Sequence, residues 1–129
     1  LPLSISKLIT LDTPVLSQEV PDLMDSATPK VEALKKMVEY QEGAIVSRTI
    51  IEKPKGTVTL FAFAEGEGLS EHTTSYDALV QVLDGEVEIT IGSESFRLGE
   101  GEMIIMPAEV PHALRALSRF KMLLVMVKN

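Results

Sequence analysis

The sequence predicts an all-β fold, a small barrel or sandwich of about eight short strands. Two observations support this prediction. From Gly43 onward, turn-forming residues recur at short intervals and separate runs rich in β-branched and aromatic residues. Several of these runs are apolar on both faces, as expected of strands that are covered on both sides, and no long helix is available to cover them.

The first 42 residues differ from the rest because they are irregular and rich in proline, with Pro2, Pro14, Pro21 and Pro29. Their one helix-like segment is KVEALKKMVEY, which predicts a short helix with an apolar stripe of Val31, Leu34, Met37 and Val38. This part has too few apolar groups for a core of its own. We therefore predict an N-terminal arm over residues 1–42 that packs on a β-barrel formed by residues 43–129.

Within the barrel, the predicted strands are the runs AIVSRTIIE, TVTLFAFA, ALVQVL, EVEITI, SFRL, EMIIM, HALRAL and RFKMLLVMV. Asp84-Gly85 predicts a hairpin with a two-residue type I′ turn, which needs positive φ at both positions. The segment GEGE at 99–102 predicts a second hairpin connection. The runs LFAFA and MLLVMV do not alternate, so the arm or a second subunit has to cover their outer face. From this apolar face we predict a homodimer.

Composition excludes several classes of protein. Twelve basic against nineteen acidic side chains give a net charge of −7, which argues against nucleic acid and against an anionic membrane surface. There is no cysteine, so disulfides, thiol catalysis and zinc-thiolate sites are excluded. No apolar run approaches the ~20 residues of a membrane helix, and the first residues lack the layout of a signal peptide. A cytoplasmic protein is expected.

Two short patterns resemble the signature motifs of the cupin superfamily. The first motif runs Gly, five residues, His, one residue, His, three or four residues, Glu, six residues, Gly; Gly66, His72 and Gly85 match it. The second runs Gly, five residues, Pro, four residues, His, three residues, Asn, which Gly101, Pro107 and His112 match. The resemblance covers residues 43–127 and is to compact single-domain microbial cupins. It implies an antiparallel jelly-roll β-barrel with a site at its centre.

The same comparison implies an incomplete metal site. Metal-binding cupins usually use three histidines and one glutamate, and two of those four positions are retained here, as His72 and His112. The other two are Thr74 and Ala78, and the motif asparagine is Ala116. A divalent ion (Ni, Zn, Fe or Mn) would then need a borrowed carboxylate to offset its charge. Candidates near the histidines in sequence are Asp77, Glu71 and Glu109.

Two functions follow from this resemblance. The first is a small-molecule-binding cupin that takes a small polar or anionic metabolite, with no certain cofactor. Regular alternation of the strand beginning near Ala78 predicts a pocket lined by His72, Thr74, Ala78, Val80, Val82 and His112. The second is a metal-dependent oxygenase or isomerase that uses His72, His112 and the borrowed carboxylate. The strand methionines Met103, Met106, Met122 and Met126 are interpreted mainly as core filler. The two histidines are expected to face each other across the barrel and to share one atom.

Overall fold

The computed structural model describes residues 8–11 and 29–129. The predicted arm is therefore seen in part, and its residues 1–7 and 12–28 lie outside the described residues. The described chain forms ten strands and one 3-10 helix, Leu34–Lys36. The strands are β1 Leu8–Leu11, β2 Ile45–Lys53, β3 Gly56–Phe63, β4 Gly68–His72, β5 Asp77–Asp84, β6 Glu86–Ile91, β7 Glu94–Gly99, β8 Met103–Met106, β9 His112–Ala116 and β10 Phe120–Val127.

The strands form two sheets that face each other. One has six strands in the order β1-β2-β3-β10-β5-β8, and the other has four in the order β4-β9-β6-β7. Every pairing is antiparallel except that of β1 with β2. The predicted all-β jelly roll is confirmed. The sequence patterns missed β1 and β4, because both are short and neither has a clear alternation.

The main core lies between the sheets and is built from inward-facing residues of both. Ile45, Phe63, Val80, Ile89 and Phe120 are fully buried there, and the rings of Phe63 and Phe120 stack with centroids 4.7 Å apart. Burying one such side chain contributes about 1.5–3 kcal/mol. The core therefore holds the two sheets together along most of the barrel.

The predicted hairpin at Asp84-Gly85 is wrong. β5 belongs to the six-stranded sheet and pairs with β10 and β8, whereas β6 belongs to the four-stranded sheet and pairs with β7 and β9. The chain therefore turns a corner from one sheet to the other, with positive φ at Gly85 (78°) alone. The same holds for the predicted hairpin at 99–102, since β7 and β8 lie in different sheets.

The predicted short helix is a single 3-10 turn. A continued α-helix would use the carbonyls of Lys35 and Met37 for its own hydrogen bonds. Here both carbonyls accept instead from barrel side chains, Lys35 O from Lys121 Nζ and Met37 O from Arg48 Nη1. These two hydrogen bonds tie the segment to the barrel.

This segment covers part of the outer face of the six-stranded sheet. Val38 is buried in a second apolar cluster with Val46, Leu60 and Ala62, and Leu34, Met37, Tyr40, Ile9 and Leu123 pack against it. Tyr40 donates a hydrogen bond to Asp84 and lies beneath the guanidinium of Arg119, 4.5 Å from the ring centre. The described part of the arm thus covers one end of the non-alternating strands. No helix in the described residues is long and apolar enough to cross a membrane.

Candidate functional site

The two histidines lie side by side in one sheet. His72 is the last residue of β4, His112 is the first of β9, and the two are direct partners in the β4–β9 register. Their Nε2 atoms are 3.2 Å apart, and their rings meet edge to face with centroids separated by 4.4 Å. The expectation that they face each other across the barrel is wrong, because β4 and β9 are neighbours. Their closeness arises from cross-strand pairing.

Backbone carbonyls orient both rings. His72 Nδ1 lies 2.7 Å from the carbonyl oxygen of Ser70, and His112 Nδ1 lies 3.2 Å from that of Val110. In both contacts the carbonyl belongs to the residue two positions before the histidine, so each ring is oriented by its own strand end. Each Nε2 is consequently directed away from its own backbone and toward the other ring.

The two rings differ in their contact with water. His112 is 3% exposed, whereas His72 is exposed and stands nearer the solvent. Burial, followed by repulsion from His72, lowers the pKa of His112 below its ordinary value of 6.5, and the hydrogen bond to Val110 opposes this only in part. Near neutral pH, His112 is therefore an uncharged imidazole.

Both histidines open onto a cavity of about 240 Å³ between the sheets. Its lining is almost entirely apolar and consists of Leu69, His72, Thr74, Ala78, Met106, His112, Leu114, Met122, Leu124 and Met126. Met126 and Met106 are the direct cross-strand neighbours of Ala78, on β10 and β8. The short Ala78 side chain thus leaves open a space that these neighbours flank.

The lining matches the predicted pocket in part. His72, Thr74, Ala78 and His112 come together around the cavity, but Val80 and Val82 do not line it. Both valines are fully buried in the core, because side chains of the facing sheet fill the barrel beyond Ala78. Three of the four strand methionines line the cavity, whereas Met103 is 48% exposed on β8. The alternation Met122, Leu124, Met126 on one face of β10 was the sequence signal for this wall.

The loop from Pro107 to Pro111 is tied to the segment beside the cavity. The amide of Glu109 donates to Thr74 O at 2.8 Å, and that of Ala108 donates to the Asp77 carboxylate at 2.9 Å. Glu109 has a φ of 65°, the one positive value at a non-glycine residue in the described chain. Asp77 therefore holds this loop.

Comparison with known proteins identifies the family. A family model described as "Cupin domain" matches residues 59–128, more than half of the chain. This chain is a cupin. A conserved protein of unknown function from Streptococcus pyogenes is 36% identical, with 85% of this chain and 97% of that chain covered and a TM-score of 0.78. A cupin superfamily protein from Desulfitobacterium hafniense is 28% identical over 84% of this chain and 100% of its own, with a TM-score of 0.76.

A third solved structure, a cupin 2 conserved barrel domain protein from Leptotrichia buccalis, is 43% identical to this cupin. The match covers 73% of this chain and 46% of that one, with a TM-score of 0.71. Among curated proteins no match was found. The comparisons therefore give the family and the fold, and the function has to be argued from the site.

The residues present fit a metal ion only in part. Two imidazole nitrogens bound to one tetrahedral zinc ion, each about 2 Å from it, lie about 3.3 Å apart, close to the observed 3.2 Å. However, within residues 8–11 and 29–129 no group of three or more His, Cys, Asp and Glu side chains is arranged to hold a metal. Asp77, which adjoins the vacant glutamate position at Ala78, is hydrogen-bonded to the loop. The two histidines would supply two neutral ligands, and neither would offset the positive charge of the ion.

Proposed function

We propose that this cupin binds a small molecule in the cavity between its sheets, with His72 and His112 at the polar end. The observation that supports this most is the lining, in which two adjacent imidazoles meet an otherwise apolar wall. Ligand sites commonly combine such a wall with a few convergent polar groups. An engineered apolar cavity of about 150 Å³ holds benzene, so about 240 Å³ suits a compact ligand of modest size.

A cavity-filling variant tests this proposal. Ala78 is 3% exposed and lies between Met106 and Met126, so Ala78→Leu would occupy the cavity. Ala113→Leu is the matched control, because Ala113 alternates with the buried His112 and Leu114 and so faces away from the core. Compounds extracted from the purified protein, together with a fragment library, are assayed by ligand-observed NMR.

We expect ligands that bind the wild type and Ala113→Leu but not Ala78→Leu. The same ligands bound equally by all three proteins would locate binding elsewhere and contradict the proposal. Circular dichroism of each variant establishes that a loss of binding does not reflect a loss of the fold.

The spacing of the two Nε2 atoms supports a second candidate, a metal-dependent cupin enzyme. His72 and His112 would hold the ion, and a ligand oxygen or a carboxylate would complete its coordination. A divalent ion bound there would act as a Lewis acid or activate oxygen. Elemental analysis of protein purified without an affinity tag tests this candidate. Near-stoichiometric Ni, Zn, Fe or Mn that is lost in His112→Ala would favour the enzyme over the binding protein.

The predicted homodimer also becomes a proposal. Five apolar residues form a direct cross-strand row on the outer face of the six-stranded sheet, about 19 Å long at the usual strand spacing. They are Ile51, Val58, Val125, Leu79 and Ile105. Ile51 and Ile105, at its two ends, are 43% and 47% exposed. A second copy would cover this uncharged row. The cytoplasmic location and the exclusion of nucleic acid and membrane stay predictions.

A further inference from the structure

The hydrogen bonds of the two histidines determine which ring nitrogens carry hydrogen. A backbone carbonyl oxygen can only accept, so the Nδ1 atoms beside Ser70 O and Val110 O are the donors. A neutral imidazole has one N–H, and the nitrogen without it has a lone pair. In the neutral state, therefore, both Nε2 atoms are acceptors.

These two acceptors converge at the polar end of the cavity. The Nε2 atoms are 3.2 Å apart, and neither can donate to the other while both rings keep these tautomers. A hydrogen-bond donor placed beside them satisfies both lone pairs through one three-centre hydrogen bond, an arrangement that proteins commonly use. A group without a hydrogen to donate is repelled there by the lone pairs of both Nε2 atoms.

Thr74 adds a hydrogen-bond donor beside the two acceptors. Its Oγ1 lies 3.3 Å from the backbone amide of Tyr76 and accepts from it. The hydroxyl hydrogen of Thr74 is then available to the oxygen of the same ligand group, since a hydroxyl both donates and accepts. The cavity lining contains no Lys, Arg, Asp or Glu among the described residues, so it offers no counter-charge to an ionised ligand.

We propose that the ligand is an uncharged, mainly apolar molecule with one hydroxyl group, which donates its hydrogen to the Nε2 pair of His72 and His112. This inference rests on the proposed small-molecule function and narrows its ligand class. An uncharged ligand differs from the anionic metabolite that was one of the ligand classes expected from the sequence. A carboxylate would place its lone pairs against those of the histidines, and an ammonium group would be buried without a carboxylate partner.

Four compounds that share a para-substituted toluene frame test the inference. They are 4-methylphenol, 4-methylanisole, 4-methylbenzoate and 4-methylbenzylammonium, which differ in carrying a hydroxyl donor, no donor, a negative charge and a positive charge. Binding is measured by titration calorimetry at about pH 8, above the ordinary histidine pKa of about 6.5. We expect 4-methylphenol to bind at least about tenfold more tightly than each of the others, the effect of one well-made hydrogen bond.

Two variants locate the hydroxyl. The double variant His72→Ala/His112→Ala removes both acceptors, and circular dichroism establishes that it keeps the fold. We expect it to reduce the preference for 4-methylphenol over 4-methylanisole to less than about threefold, well below the tenfold that one hydrogen bond supplies. Ala113→Leu changes a residue that faces away from the core and keeps both acceptors, so the wild-type preference is expected to persist.

The possible failures are distinguishable. Preferential binding of the benzoate or the ammonium compound, or equal binding of the phenol and the ether, would overturn the hydroxyl inference and leave the cavity as a binding site. A preference that persists in the double variant His72→Ala/His112→Ala would overturn the role of the histidine pair. If none of the four binds the wild type while cavity-dependent ligands are found by the Ala78→Leu comparison, the inference alone fails. If neither experiment finds binding, both the hydroxyl inference and the proposed small-molecule function fail.

Discussion

Replacing Gly85 by alanine should destabilise this cupin far more than the same change at Gly66. Both are motif glycines with positive φ, 78° and 85°, so each substitution forces an L-residue into the left-handed region. That strain costs roughly 1–2 kcal/mol. The surroundings of the two glycines differ. A Cβ at Gly85 would lie 2.0 Å from the carbonyl oxygen of Arg119 and 2.9 Å from Cα of Phe120, whereas a Cβ at Gly66 meets nothing within 4 Å.

The two substitutions should differ in their loss of stability because different groups have to move to accommodate the added methyl group. At Gly66 the added methyl group points into open space, so we expect a loss of about 1–2 kcal/mol from backbone strain alone. At Gly85 the contact is with backbone, and it can be relieved only by shifting the corner between β5 and β6 or the start of β10. We expect a loss of about 4 kcal/mol or more, in the range that only a few kinds of substitution reach.

Urea unfolding followed by far-UV circular dichroism measures both losses, since the chain has no tryptophan and only two tyrosines. Gly92→Ala serves as a control, because its φ is 62° and the nearest atom to an added Cβ is a side-chain carbon of Val110 at 3.9 Å. It should resemble Gly66→Ala. If all three variants lose the same free energy of unfolding, the close packing at the Gly85 corner contributes nothing beyond its φ, and the reasoning is refuted.

Three further predictions concern pH, the outer face and the arm. The pKa of His112 is lowered on folding, so below about pH 6.5 the unfolded chain binds a proton that the native chain does not. Stability should therefore fall as the pH drops from about 6.5 toward that lowered pKa, and thermal unfolding between about pH 5 and 8 should show a weaker dependence in His112→Gln. Ile105→Lys should shift sedimentation from dimer to monomer, whereas Ser95→Lys on the other sheet should not; a wild-type monomer would contradict the dimer. Lys121→Met should leave the Lys35 carbonyl without its side-chain donor, cost about 1–3 kcal/mol and speed hydrogen exchange over residues 33–40; unchanged exchange would refute this role.

The fold was predictable because its signals are local. Turn residues, β-branched runs and the motif spacings around Gly66, His72, Gly101 and His112 each depend on a few neighbouring residues, and together they indicate the cupin barrel. The two predicted hairpins failed for a related reason. Alternation with a period of two looks the same whether a strand reverses at Gly85 or bends into the other sheet, so only long-range pairing distinguishes these cases.

The site divides in the same way. By itself the sequence determined which residues have useful chemistry, namely two imidazoles at the motif positions and no complete metal-ligand set. Only the tertiary structure decided that these imidazoles are neighbours in one sheet, that Ala78 opens a cavity while Val80 is packed beyond it, and that three methionines form its wall. The physical reason is that a strand's side-chain periodicity specifies the face on which a residue lies. Whether that face meets a filled core or an open space depends on side chains that arrive from the opposite sheet, far away in the chain.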